Sequence, residues 1–582
     1  MPTILRVCTT AGLCAAGLLL TPGRAEACGG TFCDGAVPGP MPVDQTGENV
    51  IFVMGGDKAE VHIQISIDPN TNAQKFAWMI PLASVPDFAV GSQPFFDQVL
   101  AGTVPTYDIV NTFEPCNLDG AGSSPTEGGA ATTSGGGDEF GETGDVPEPR
   151  PDVLLMETVG AFDVVVLQDT ELAPIQTWLV DNGYNWDPNA GPILQQYLDE
   201  GNVIAALKLT NGTGLQDVHP ITLRYEGLET CFPLRLTRIA AVSDMEIRVF
   251  VLASDRAAPT NFKHVLVNPL KIDWLTYASN YKDVISHAVD AGMADGRAFV
   301  TEYAGSSATV SQFGIHSTLW DAQVFVGLDP TQVIAELDDQ GLAACFAGDT
   351  CIWYHPLVYG LLLEFLPPPD GVEPVTFYAN LADYAADIDA MKWNGGAEFS
   401  AALLERIVEP GLAAVDLLDT WPYLTRMYTT ISPNEMMEDP IFHTNPDLDD
   451  VPQLRTVGNY FLCNGDSVAT LPNGSEVYVP GAFTWPNIPG EEWWEEEVQT
   501  IAFKGAPMTL VNNTAAIAKV LTEWNLSHGW PRTPGESGSS GESGSSGPDS
   551  DSGNGGCGCT GASGPPGLTL VALGLLLRRR RR

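Results

Sequence analysis

Val61-His62-Ile63-Gln64-Ile65-Ser66-Ile67 alternates apolar and polar residues at every step. Asp68-Pro69-Asn70-Thr71-Asn72 interrupts it, and Lys75 to Leu82 resumes with Phe76, Trp78 and Ile80 on one face. A period of two marks a half-buried β-strand, because successive side chains leave opposite faces of a pleated chain. Two such runs around a Pro/Asn-rich turn predict a hairpin, with His62 on its polar face.

Working outward, Asp163 to Leu167 is a Val-rich strand followed by two helix patterns. Ala173 to Asn182 places Ile175, Trp178 and Leu179 at helical spacing and stops at Gly183; Pro192 to Glu200 does the same with Ile193, Leu194, Tyr197 and Leu198 before Gly201. Val203 to Leu209, Thr222 to Tyr225, Leu234 to Ile239 and Met245 to Leu252 read as strands. The expected class is α+β: mostly antiparallel strands and hairpins with packed helices, in two globular units plus disordered linkers. Pro367-Pro368-Pro369-Asp370-Gly371 sets the boundary between a unit at 28–366 and a smaller α+β unit at 370–532, with amphipathic helices at Glu398 to Val408 and Thr514 to Asn525. Asn117 to Pro151, rich in Gly, Ser, Thr, Pro and acid, reads as a disordered insertion.

Composition agrees with loops and strands rather than a bundle. Of 582 residues only 17% are charged, while Gly numbers 60 and Pro 44. The formal charge is −46; setting aside the seven arginines and Glu26 of the terminal signals leaves 20 basic against 72 acidic residues, about −52. Such a surface repels phosphate backbones and disfavours nucleic acid.

Both ends read as sorting signals. Arg6, the apolar run Val7 to Leu20 and Ala25-Glu26-Ala27 form a secretory signal over 1–27, cleaved before Cys28. Glu26 argues for ordinary signal peptidase over lipidation of Cys28. Pro534 to Gly556 is a Gly/Ser/acid stalk, placed at 533–556, that cannot bury a core. Gly556-Cys557-Gly558-Cys559, an uncharged stretch from Thr560 to Leu577 and Arg578 to Arg582 complete the chain at 557–582. Those apolar positions reach about 27 Å as a helix, barely a hydrocarbon core, and Gly561, Gly564, Pro565, Pro566 and Gly567 weaken the helix.

Seven cysteines remain in the body: Cys28, Cys33, Cys116, Cys231, Cys345, Cys351 and Cys463. Cys28/Cys33 and Cys345/Cys351 flank short Gly-containing loops and are disulfide candidates in an oxidising compartment. Their spacings do not suit zinc.

Several separated motifs carry a resemblance. Cys28-Gly29-Gly30, Phe32-Cys33, Asp44-Gln45-Thr46-Gly47-Glu48, Phe76-Ala77-Trp78-Met79-Ile80-Pro81, Trp178-Leu179 before Gly183-Tyr184, and Cys231-Phe232-Pro233-Leu234-Arg235-Leu236 resemble the bacterial domain-of-unknown-function family 2330 over about residues 28–365. That family brings no activity, cofactor or catalytic residues to carry over. The last 27 or so residues resemble the C-terminal sorting tags of myxobacterial surface proteins. There the Arg cluster stops transfer on the cytoplasmic side, and an intramembrane protease, the myxosortase, cuts near the Cys. The resemblance makes Cys557 and Cys559 the sorting or lipidation candidates.

Motifs for chemistry are sparse. Gly465-Asp466-Ser467-Val468 is similar to the nucleophile block of a lipase and esterase family, but it comes late and its only following His, His528, sits in Asn525-x-x-His; a tight turn is the better reading. No Gly-x-Ser-x-Gly, His-Glu-x-x-His or phosphate-loop motif occurs. Asn445, Asp447, Asp449 and Asp450 are weak calcium candidates without the twelve-residue loop pattern. Glu491-Glu492-Trp493-Trp494-Glu495-Glu496-Glu497 reads as an aromatic anchor within wet acids.

The sequence therefore leads to an exported cell-surface or outer-membrane protein without catalytic residues, cofactor or confident metal site. A non-enzymatic binding module on a stalk, with an unidentified envelope partner and a membrane association through its tag or processed lipidated end, is the expectation. An envelope hydrolase with a site built from distant residues, or a structural coat protein, are the alternatives.

Overall fold

The computed structural model describes residues 30–33, 45–55, 58–67, 76–115, 151–184, 186, 188–210, 218–226, 233–346 and 350–532. The signal at 1–27, Cys28, the 117–150 stretch, the stalk, and the tag with Cys557 and Cys559 lie outside them.

Two sheets stack face to face. The larger has ten strands in the order Met508–Asn512, Glu495–Thr500, Lys263–Val267, Ala298–Ser306, Tyr423–Ile431, Ala241–Ala253, Gln45–Gly55, Lys58–Ile67, Ile221–Glu226 and Asp87–Val90. The smaller has five: Gly30–Cys33, Phe76–Leu82, Val203–Leu209, Phe162–Gln168 and Asp152–Val159. Val50, Phe52, Val61 and Ile63 of the first meet Trp78, Ile80, Val164 and Leu207 of the second in one dry cluster. Both outer faces are covered by helices. Leu172–Asp181 and Ala190–Asp199 pack Ile175, Leu179, Leu194 and Tyr197 onto Met79, Val165 and Ile204 of the small sheet. Gln93–Thr103 and Glu409–Thr420 pack Phe95, Phe96 and Ala414 onto Ile51, Phe250 and Leu424 of the large one, and Tyr281–Asp290 lies further along the same face. The α+β reading holds, with mostly antiparallel ladders and three parallel ones.

The opening sequence pattern gives the right strands and faces but the wrong partner. Lys58–Ile67 pairs with Gln45–Gly55 and Ile221–Glu226, whereas Phe76–Leu82 pairs with Gly30–Cys33 and Val203–Leu209. The two runs meet through their apolar faces across the sandwich, not edge to edge. His62 is consequently not on a wet face: the helix layer buries it, its ring edge-on to Phe95, its Nδ1 2.9 Å from Thr222 Oγ1 and its Nε2 3.0 Å from Glu60. Glu60, also held by Arg224, is kept at a pKa of about 2: burial opposes its ionised form, and the hydrogen bonds and charges of His62 and Arg224 outweigh that.

Leu234–Thr237 is a helical turn rather than the expected strand. A strand would put Leu234 and Leu236 on one face, but they serve opposite sides of the small sheet, Leu234 the inter-sheet core and Leu236 the helix layer. Arg235 locks the turn: its backbone N–H and Nε donate to Asp439 at 2.9 and 2.6 Å, and its guanidinium donates to Glu200 while lying 4.0 Å over the Tyr197 ring.

The boundary expected at Pro367–Gly371 does not divide folding units. Tyr423–Ile431, from beyond it, is inserted between Ala298–Ser306 and Ala241–Ala253 in the middle of the large sheet. The described residues through Arg532 form one compact unit. Between the flanking segments, residues 322–407 build a helical cluster around Phe325, Leu362, Phe377 and Phe399. A four-stranded sheet, Glu476–Val479, Ser467–Thr470, Leu454–Phe461 and Thr106–Phe113, is covered by Thr514–Ser527. The helix expected at 398–408 runs on through Leu404–Val408 into Glu409–Thr420.

The inserted strand is tied by a buried ion pair. Arg426 Nε donates to Glu302 at 2.5 Å, both side chains being at most 5% exposed. The register slips between Thr301 and Tyr303, so Glu302 is the extra residue of a bulge that turns its carboxylate onto the helix-covered face. Arg426 Nη1 also donates to Leu100 O at 3.1 Å, neutralising the carbonyl end of Gln93–Thr103. Glu302→Gln should lower the unfolding free energy by about 3–5 kcal/mol, the usual cost of orphaning one buried charge. In urea titrations the double variant Glu302→Leu/Arg426→Met should recover most of that loss; a single-site loss under 1 kcal/mol would contradict the assignment.

Candidate functional site

Where the large sheet meets the four-stranded sheet, the chain forms an open cavity of about 310 Å³, at the small end of the roughly 300–1,000 Å³ range of small-molecule sites. Val265, Leu266, Val267, Pro269, Ile272, Trp274, Val300, Val451, Pro452 and Pro472 make the apolar part of the wall. The polar groups on it are few: Arg256, Arg455, His264, Thr301, Tyr281, Asn473 and Glu496.

His264 is fixed between neighbouring strands. Its Nδ1 lies 3.2 Å from Gln499 Oε1, its register partner, and its Nε2 3.0 Å from Thr301 Oγ1. Gln499 donates its amide N–H to Glu497, so its oxygen faces the imidazole; Nδ1 carries the proton and Nε2 accepts from Thr301. Burial, with the Arg256 charge beside it, lowers the imidazole pKa to about 4. Both ring nitrogens and the Thr301 hydroxyl are therefore occupied, and among the described residues of the wall there is no Ser or Cys.

The two arginines are differently placed. Arg256 follows the Ala241–Ala253 strand and is 9% exposed; Nη1 donates to the backbone O of Asp449 at 2.6 Å, while its Nε, shielded from solvent, has no hydrogen-bond partner. Burial pushes its pKa down, against the nearby charges. Arg455 stands on Leu454–Phe461. It donates to Tyr107 OH at 2.7 Å, Tyr281 OH at 3.4 Å and the backbone O of Glu302 at 3.3 Å, with the two phenol rings 5.6 and 5.8 Å from its guanidinium carbon. The Glu302 carboxylate is already committed to Arg426. Among the described residues neither Arg256 nor Arg455 forms an ion pair, whereas the guanidinium groups of Arg235, Arg406 and Arg426 all do. Glu496 contributes one carboxyl to the same wall, its pKa raised by burial.

A larger cleft of about 680 Å³ opens beside Gln93–Thr103, lined by Asn49, Gln64, Asp97, Arg248 and Arg426 among others. Its arginines are matched to Glu246 and Glu302, so size alone does not make it the better site.

The residues singled out in the sequence fall elsewhere. Cys345 and Cys351 form a disulfide across the Ala343–Phe346/Thr350–Trp353 hairpin, with Cα atoms 4.0 Å apart. Cys463 is disulfide-bonded as well. Cys33 ends a strand that pairs with Phe76–Leu82. The calcium candidates do not converge. Asn445 is fully buried and donates to Ala502 O and Gly505 O, Asp447 accepts from Gly505 N, Asp449 offers Arg256 its backbone oxygen, and Asp450 accepts from Tyr423 OH at 2.6 Å. Among the described residues no three His, Cys, Asp or Glu side chains are placed to hold a metal ion. That acidic loop instead fastens one wall of the cavity. Ser467 is fully buried at a strand start, and Asp466 is spent on Asn464, Tyr478 and Gly481. Trp494 lies over Lys271 and His287, and Glu491 pairs with Lys271.

The profile of a family described as an uncharacterized protein conserved in bacteria (DUF2330) matches residues 24–332. The chain belongs to this family. The match ends well before the 365 expected from sequence motifs. It includes Arg256, His264, Tyr281 and Thr301, whereas Arg455, Glu496 and the central Tyr423–Ile431 strand come from beyond it. No curated protein and no solved structure matches the chain.

The neutral imidazole has a pH consequence. A histidine whose folded pKa is depressed binds its proton in the unfolded chain first, so stability falls as pH drops from about 6.5 to about 4, by up to about 3 kcal/mol. His264→Gln should lose stability at pH 7.5, and its deficit relative to wild type should narrow progressively over that window in urea titrations. A deficit independent of pH would contradict a buried neutral His264.

Proposed function

We propose that this chain is an exported protein displayed at the cell surface on the 533–556 stalk, whose body is a non-enzymatic binding module with the 310 Å³ cavity as its ligand site. The observation that carries the binding role is the cavity wall. It is largely apolar, its imidazole and the Thr301 hydroxyl are locked against each other, and its described lining has no serine or cysteine, an arrangement suited to holding a molecule rather than transforming it.

Export rests on the secretory signal at 1–27 and the Cys/apolar/Arg tag at 557–582, with Cys557 and Cys559 as the processing or lipidation candidates and the envelope as the site of the partner. The disulfide between Cys345 and Cys351 supports an oxidising compartment. Among the described residues no helix is long and apolar enough to cross a membrane, so attachment in this reading falls to the tag or its processed end.

Mass spectrometry of the mature protein should find an amino terminus at Cys28 and no Arg582. Retention of Arg582 would refute the processing. Serine- and cysteine-directed activity probes should label no residue of the body; specific labelling of one would favour an envelope hydrolase instead.

A further inference from the structure

We propose, on the premise that the cavity is the binding site, that its ligand is a small organic monoanion, a carboxylate carried on a compact apolar body. Arg256 and Arg455 line one small cavity and neither is ion-paired among the described residues. A buried guanidinium without an ion-pair partner is costly unless something compensates it; for Arg455 two phenol oxygens and a backbone carbonyl do part of that. In a chain of net charge −46 a carboxylate partner was abundantly available, yet Glu302 is paired with Arg426, and Asp449 and Asp450 act on Arg256 only as charges beyond ion-pair distance, Asp450 accepting from Tyr423 and Asp449 offering its backbone oxygen. At Arg256 burial outweighs the pull of those more distant charges, so a further anion beside the guanidinium would be stabilising.

The class of ligand follows from three features. Guanidinium groups favour planar oxyanions, which accept two parallel N–H bonds. Glu496 on the same wall, with Asp449 and Asp450 acting on Arg256 from further away, offsets part of the positive charge, which favours a singly charged carboxylate over a phosphate monoester. Leu266, Val267, Pro269 and Pro452 supply an apolar surface that a bare inorganic anion would leave uncovered. The overall acidity of the chain does not oppose this, because charges more than about 10 Å away are screened at 0.1 M salt.

Calorimetric titration of the purified protein with octanoate, octyl phosphate, octanol and octylamine tests both the premise and the inference. Octanoate should bind, octanol at least about 10-fold more weakly, and octylamine more weakly still, a tenfold change being about 1.4 kcal/mol. Arg256→Met and Arg455→Met should each weaken octanoate at least about 10-fold and leave octanol unchanged, and Arg455→Lys should retain part of the affinity; thermal melts verify that each variant is folded. Equal binding of octanoate and octanol would keep the cavity as a ligand site and overturn the anion. Tighter binding of octyl phosphate would overturn the monocarboxylate. If none of the four bound below about 1 mM, the inference and the premise would fall together.

Discussion

The ion pair between Arg426 and Glu302 is the contact on which the architecture turns. Tyr423–Ile431 arrives at the centre of the large sheet from far along the sequence and must be recognised there by strands about 120 and 180 residues earlier. Hydrophobic alternation alone does not specify one slot, since many strands here would satisfy it. A buried charge does, because any other register leaves Arg426 or Glu302 unpaired in a dry layer. The bulge at Glu302 and the carbonyl of Leu100 complete the lock by coupling the strand to the helix above it.

The cavity follows from that arrangement. Once Glu302 is spent on Arg426, Arg455 is left with phenol and carbonyl oxygens for partners. Arg256, held by a backbone oxygen of the 445–450 loop, likewise has no carboxylate within ion-pair distance among the described residues. Two cations thus remain on an apolar wall in a protein otherwise dominated by negative charge. Their supply from both sides of residue 332 means that this site is not contained in the family-matched region alone.

Much of the secondary structure was legible in the sequence because it rests on local periodicity. Val203–Leu209 and the helices at Leu172–Asp181, Ala190–Asp199 and Thr514–Ser527 fall where spacing and stop signals place them. The Cys345–Cys351 bridge was legible for the same reason, its loop being short. What failed was long-range: Val61–Ile67 and Lys75–Leu82 look like hairpin partners because they are adjacent in sequence, but face packing and edge pairing leave the same alternation. The proline run at 367–369 looked like a domain boundary, since nothing local reveals that a later strand returns to the sheet. Leu234–Thr237 was misread because its conformation is set by Asp439 and Glu200, over 200 and about 35 residues away. The site was hidden for a related reason. Arg256 and Arg455 belong to no motif, and only their lack of an ion-pair partner among the described residues distinguishes them.

Anomalous diffraction from crystals of the protein grown with 8-bromooctanoate tests the central claim most directly. The account predicts the carboxylate within hydrogen-bond reach of Arg256 and Arg455 and the bromine against the apolar wall near Leu266 and Pro269. Bromine density only in the 680 Å³ cleft, or the reversed orientation with bromine beside the guanidinium groups, would contradict it.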